Sequence, residues 1–132
     1  MATIANALDY KLPKKSCAED SHNLLPLIEG KASAEPIRTA HIHNTKAKQY
    51  AIRSGDWLLV DSKTGYVSGR NQAWENKRNY PADNKAPVEL YNLKDDIGQK
   101  NNLANKHTDK VKELQALLKE IRERGHSAPR LR

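Results

Sequence analysis

His41 and His43 stand two residues apart in TAHIHNT, and on an extended strand side chains at that spacing share a face. Two imidazoles so placed can hold a metal through ring nitrogens or line a polar pocket. No cysteine or further histidine lies nearby in the sequence to complete a ligand set, so the simpler reading is a solvated pair at the edge of the core. A second constellation fills residues 62–87, where Tyr66, Arg70, Trp74, Arg78 and Tyr80 mix rings with cations. That mixture suits stacking on a sugar face with pairing to sulfate or carboxylate, and it equally suits single-stranded nucleic acid. The competing reading has Trp74 pinning the segment to a sheet, because tryptophan is highly buried on average. Asp95 and Asp96 are adjacent acids suited in type to proton transfer or calcium. Lying before a helix and beside Gly98, they are explained more economically as a turn, in which their side chains bond backbone N–H groups and Gly98 takes a positive φ. We assign them no chemistry.

These groups need a scaffold, and composition limits it. A chain of 132 residues supports one domain with one modest core. Hydrophobic residues make up 37%, aromatics 5%, and phenylalanine is absent, which is lean for a free-standing fold and implies missing neighbours. The net charge of +7 favours anionic partners. Its basic residues are spread along the chain instead of forming a reading motif, which argues against a sequence-specific nucleic-acid binder. Cys17 is the only cysteine, so no intrachain disulfide or CxxC site can form. No apolar run approaches the length of a membrane span, and the start MATIANALDYK lacks the pattern of a secretory signal.

Hydrophobic spacing then orders the elements. Ile4 and Leu8 at helical spacing predict the last turns of a helix, and SHNLLPLIEG predicts a short helical piece stopped by Gly30. Both have apolar faces and little to pack on. From Pro36 the pattern becomes extended: IRTAHIH alternates, and KQYAIRSGDWLLVD reads as a hairpin joined by Ser54, Gly55 and Asp56. Trp57 and Leu59 point to one face of the second strand and Leu58 and Val60 to the other, so this strand should be central and covered on both sides. VELYNL supplies another strand. Residues 62–87 show no sustained period. Val111, Leu114, Leu118 and Ile121, widened by Leu117, predict a closing amphipathic helix with Asp109 in its first turn and Gly125 at its stop. The expected architecture is α+β: a small antiparallel β-sheet with a C-terminal α-helix packed across one face, preceded by short helical segments.

The order of three runs is also familiar. EDSHNLLPLIEGK, PIRTAHIHNTKAKQYAIRSGDWLLVD and VELYNLKDDIGQKNNLANKHTDKVKELQALL resemble, in sequence and spacing, the C-terminal portion of the sulfatase (arylsulfatase-like) family, and the likeness covers nearly the whole chain. AIRSGDWLL and ELYNLKDDIGQKNNLA are its most telling parts; Ile97 stands where the family often has proline. The resemblance implies that residues 1–35 pack on a sulfatase catalytic domain and that residues 36–132 form the C-terminal α+β subdomain. It further implies that the parent is a sulfuric ester hydrolase of the alkaline phosphatase-like superfamily, periplasmic or extracellular. Its calcium and formylglycine belong to the N-terminal catalytic domain, and this chain alone is expected to carry no cofactor or metal and to be inactive. The formylglycine arises in a C-x-P-x-R type motif, whereas Cys17 begins CAEDS, with Glu19 in the proline position and Ser21 in the arginine position. Met1 and Ala2 fall inside what the family makes a helix, so a truncated chain is expected. In sulfatases the segment resembling HIHNTKAKQY approaches the cleft, which makes His43, Asn44 and Lys46, together with Trp74 and Arg78, the candidates for touching a sulfated substrate. The alternative is a basic module that binds sulfated glycans or nucleic acid through residues 62–87. Self-association through the first 30 residues is a further expectation, driven by exposed apolar surface.

Overall fold

The computed structural model describes residues 1–13, 19–31, 35–46, 48–63, 72–77 and 86–128. Its elements are α1 (Ala2–Ala7), α2 (Leu25–Ile28), β1 (Ala40–Lys46), β2 (Gln49–Ser54), β3 (Trp57–Val60), α3 (Gln72–Lys77), β4 (Glu89–Asn92) and α4 (Thr108–Arg124). They fall into two compact units, one comprising Met1–Thr39 with Ile121–Arg132, the other Ala40–Glu120.

The larger unit is built on an antiparallel sheet of order β1-β2-β3-β4. The β2–β3 hairpin forms where the sequence predicts it. Ser54 pairs with Trp57, and Gly55 takes φ 56°, the conformation that a glycine-first two-residue turn needs. Register then decides which residues meet. Ile42, Ile52, Leu59 and Leu90 form one cross-strand row, and the last three are completely buried. The closing helix lies over this face: Leu114 and Leu118 are buried, and Gln115 donates Nε2–H to Asp61 Oδ1 at 2.9 Å. The ring of His107, just before α4, lies 5.4 Å from that of Trp57. The opposite face carries His41, Arg53, Leu58 and Tyr91 in one row and His43, Ala51, Val60 and Glu89 in the next. Leu58 and Leu59 are both buried, so β3 is a central strand covered on each side, and the fold is α+β as expected.

The turn after β4 is held by side chains. Asn92 Nδ2 donates to Asp95 Oδ2 at 2.9 Å, and Asp96 Oδ2 accepts the Asn101 N–H at 2.7 Å. The left-handed residue is Gln99, at φ 52°, and not Gly98. Asp96 accepts the N–H groups of both Gln99 and Asn101, which draws the chain around at that position. A β-carbon on Gly98 would meet nothing closer than 3.6 Å, so the turn does not require glycine there for space.

In the smaller unit, residues 21–24 are tied to α1. The Ala2 N–H donates to Ser21 Oγ and the Leu24 N–H to Thr3 Oγ1, each at 2.9 Å. Asp20 Oδ1 accepts both the N–H and the hydroxyl of Ser127, at 2.6 and 2.7 Å. Arg38 donates to the Asp20 carbonyl at 3.3 Å. These contacts explain one difference from the sequence pattern: Ile37 and Arg38, which alternate like strand residues, precede β1. Arg38 is engaged with Asp20, and His22 bonds the Ile37 backbone, so β1 starts at Ala40 and runs on through Asn44 to Lys46.

Acid is expected to loosen this unit. Burial holds His22 below its ordinary 6.5, with the Arg38 charge adding to the effect, and its buried Nε2 has no hydrogen-bond partner among the described residues. The backbone and side-chain hydrogen bonds from Ser127 hold Asp20 below its ordinary 3.8. Both shifts mean that the unfolded chain binds protons first as pH falls, so stability rises with pH across both windows. Denaturant midpoints measured against pH should fall as pH drops below 6.5 and again below 3.8. His22→Gln should shrink the upper step, to which the depressed His43 also contributes, and leave the lower one.

Candidate functional site

Strand alternation and the hairpin partner build a cluster around the histidine pair. His41 and His43 sit on one face of β1 with ring centroids 4.3 Å apart, tilted by 58°. Antiparallel register places Arg53 of β2 directly opposite His41, where Cβ atoms lie about 5 Å apart. Arg53 Nε donates to the Gly55 carbonyl at 3.1 Å, which anchors the guanidinium against the hairpin turn. All three side chains are exposed. Partial burial holds His43 below its ordinary proton affinity, and the positive charges of His41 and Arg53 lower it further.

The sequence-derived candidates do not all converge. Asn44 pairs with Tyr50 and, being adjacent to His43 on a strand, faces the opposite side. A register shift separates Asn44 from Lys46, which pairs with Gln49; the Lys46 side chain lies outside the described part of the structure. Trp74 lies on α3, a helical turn that the aperiodic sequence of residues 62–87 does not announce, and it keeps 44% of its surface exposed. Arg78, Tyr66, Arg70 and Tyr80 lie outside the described residues, as does Cys17.

Arg53 is the member that sequence reasoning missed. The signal for it was present: once Ser54, Gly55 and Asp56 set the β2–β3 turn and IRTAHIH is read as the preceding strand, one more pairing brings an arginine to the histidines. Arg53 offers N–H donors and a fixed positive charge, and His43 a further ring donor beside it, a combination suited to holding an oxyanion. Metal binding is a poorer match. Among the described residues no group of three or more His, Cys, Asp or Glu side chains is arranged to hold an ion, and the Arg53 guanidinium beside the two imidazoles repels one. Asp95 and Asp96 are occupied in the turn. Among the described residues no helix is long and apolar enough to cross a membrane.

No protein-family model matches the chain. Over 125 residues it is 30% identical to an N-acetylgalactosamine-6-O-sulfatase of Bacteroides thetaiotaomicron, a match spanning 93% of this chain and 22% of that protein. A structure from work on the metabolism of multiple glycosaminoglycans by the same organism superposes with a TM-score of 0.63 at 25% identity, covering 91% of this chain and 23% of the other. A second structure, of a protein in complex with its substrate D-glucosamine-2-N,6-O-disulfate, gives a TM-score of 0.58 over 92% of this chain and 22% of the other; at 22% identity it shows the shared fold. The chain thus spans under a quarter of the length of these relatives. The resemblance to the C-terminal portion of sulfatases, carried in the sequence by three ordered runs, holds in these comparisons.

Proposed function

We propose that this chain is the C-terminal subdomain of a sulfatase, covering the catalytic domain of a sulfuric ester hydrolase and forming part of its substrate-cleft wall. One observation carries this reading: the likeness takes in 93% of this chain and 22% of an N-acetylgalactosamine-6-O-sulfatase. The surface of the smaller unit supports it. Ile4, Leu8 and Ile28 keep 61%, 73% and 72% of their surface exposed, and Leu24 and Leu27 nearly half, as expected of segments that lean on a larger body. His43, with His41 and Arg53 beside it, is the part of the wall suited to a sulfated substrate; Asn44, Lys46, Trp74 and Arg78 remain candidates around it.

Neither cofactor of the parent reaction finds a match in the residues that follow Cys17 or among the described acids and histidines. Cys17 is followed by neither the proline nor the arginine of the formylglycine motif, and the described acids and histidines make no calcium cage. Both groups are therefore assigned to the catalytic domain, together with the charge stabilisation that sulfate-ester cleavage needs. Incubated alone with an aryl sulfate and calcium, the chain is expected to give no turnover above a matched blank. Calcium-dependent turnover would overturn the subdomain reading.

A further inference from the structure

We infer that the outer edge of β1 is a docking strand for an extended acidic peptide, which adds to the sheet beside it. The hydrogen-bond alternation of the antiparallel ladder identifies the groups involved. The Asp61 N–H bonds the Tyr50 carbonyl at 2.8 Å, so Tyr50 turns its backbone toward β3, and Ile52, two residues on and paired with Leu59, does the same. Ala51 and Arg53 therefore turn toward β1, where their partners are His43 and His41. This directs the N–H and C=O groups of Ala40, Ile42 and Asn44 away from the sheet. Among the described residues these groups have no hydrogen-bond partner.

The two edges of the sheet differ. At β4 the Leu90 N–H meets Asn102 Oδ1 at 3.0 Å and the Leu90 carbonyl takes the Leu103 N–H at 2.7 Å, which closes the corresponding outward pair. No described segment does this for β1, and an open edge is a template for main-chain pairing. Charge selects the occupant. Residues 40–54 contain His41, His43, Lys46, Lys48 and Arg53 and neither Asp nor Glu. A second copy would set this cationic hairpin against itself and join two chains of net charge +7, like against like. The register shift between Asn44 and Lys46 guards further against self-pairing and confines the usable ladder to residues 40–44. An acidic strand meets attraction where a copy meets repulsion. Strand alternation sets its pattern: acidic side chains on the face of His41 and His43, and apolar ones beside half-buried Ile42, extending the row of Ile42, Ile52, Leu59 and Leu90.

Amide hydrogen exchange on the full chain at neutral pH reads this edge directly. The probe is a synthetic peptide of alternating glutamate and valine, blocked at both ends and about seven residues long, enough to span Ala40–Asn44. Without peptide, the amides of Ile42 and Asn44 are expected to exchange fast and those of His41 and His43, bonded into the β2 ladder, slowly. Saturating peptide should slow Ile42 and Asn44 at least about tenfold, and a peptide with lysine in place of glutamate should bind about tenfold more weakly. Asn44→Pro deletes one outward N–H, a change that edge strands tolerate, and should weaken binding several-fold; unchanged slow exchange at Ile52 and Leu59 shows that the variant is folded. The docking edge is overturned if Ile42 and Asn44 stay fast at every peptide concentration, if the lysine peptide protects them equally, or if Asn44→Pro binds as tightly as the parent. Protection that appears without peptide and grows with protein concentration would assign the edge to a second copy and overturn it as well. The site depends only on the main chain and charge of these strands, so its failure leaves the subdomain reading to the aryl sulfate assay.

Discussion

Leu59→Ala is expected to cost about 3 kcal/mol, within the range for truncating a fully buried leucine to alanine. Leu59 lies on β3, the interior strand between β2 and β4, and its cross-strand partners on the α4 side are Ile52 and Leu90. All three are 0% exposed, and Leu114 and Leu118 of α4 are buried with them. Removing the isobutyl group takes away its transfer free energy and leaves a hole that the paired strands cannot collapse to fill, since their spacing is fixed by the backbone ladder. In a chain of this size the loss is a large share of total stability, typically about 5–15 kcal/mol. Urea unfolding followed by tryptophan fluorescence should show a strongly lowered midpoint with an unchanged slope. A loss below about 1 kcal/mol would mean that this face is not the packed core.

The same row of residues shows what the amino-acid pattern can convey. Alternation in WLLV assigns Leu59 and Leu58 to opposite faces because strand side chains repeat every two residues. The turn residues Ser54, Gly55 and Asp56 fix the hairpin because only a few residue types accept its dihedrals. The stripe from Val111 to Ile121 is equally local, and Leu114, Leu118 and Ile121 are indeed its buried members. The onset of β1 was less legible. Ile37 and Arg38 alternate correctly, yet contacts from Asp20 and His22, far away in sequence, hold them out of the sheet. α3 has too little amphipathic repeat to be seen in six residues. For the site, the spacing of His41 and His43 was readable from one strand, whereas Arg53 needed the register of two. Asn44 was grouped with His43 through a family resemblance, and strand alternation separates the two.

Asn102 is the extreme case of a residue whose role no local pattern reveals, and Asn102→Ala should destabilise the fold by about 2–4 kcal/mol, the combined effect of several lost hydrogen bonds and stranded partners. Among the described residues β4 ends the sheet, so there the backbone groups on its outer side have no strand neighbour. Asn102 Oδ1 accepts the Leu90 N–H at 3.0 Å and its Nδ2 donates to the Val88 carbonyl at 3.1 Å. The Leu103 N–H adds a bond to the Leu90 carbonyl at 2.7 Å. One carboxamide thus imitates the donor and acceptor of a strand residue and shields an otherwise open edge, while Oδ1 also takes the Ala104 N–H at 3.0 Å, steering the chain toward α4. Alanine would leave the Leu90 N–H and Val88 carbonyl without these partners beside a core in which both residues are buried. Asp is no substitute at neutral pH: it can still accept, but it sets a carboxylate oxygen against the Val88 carbonyl where a donor is needed. Lowering the pH until that carboxyl protonates restores an O–H donor, so Asn102→Asp should recover part of its loss relative to Asn102→Ala in acid. Hydrogen exchange gives the sharpest readout, because the Leu90 amide should lose protection in both variants before the β2–β3 amides do. Unchanged Leu90 protection, with a urea midpoint equal to that of the parent, would show that the β4 edge is held by something other than Asn102.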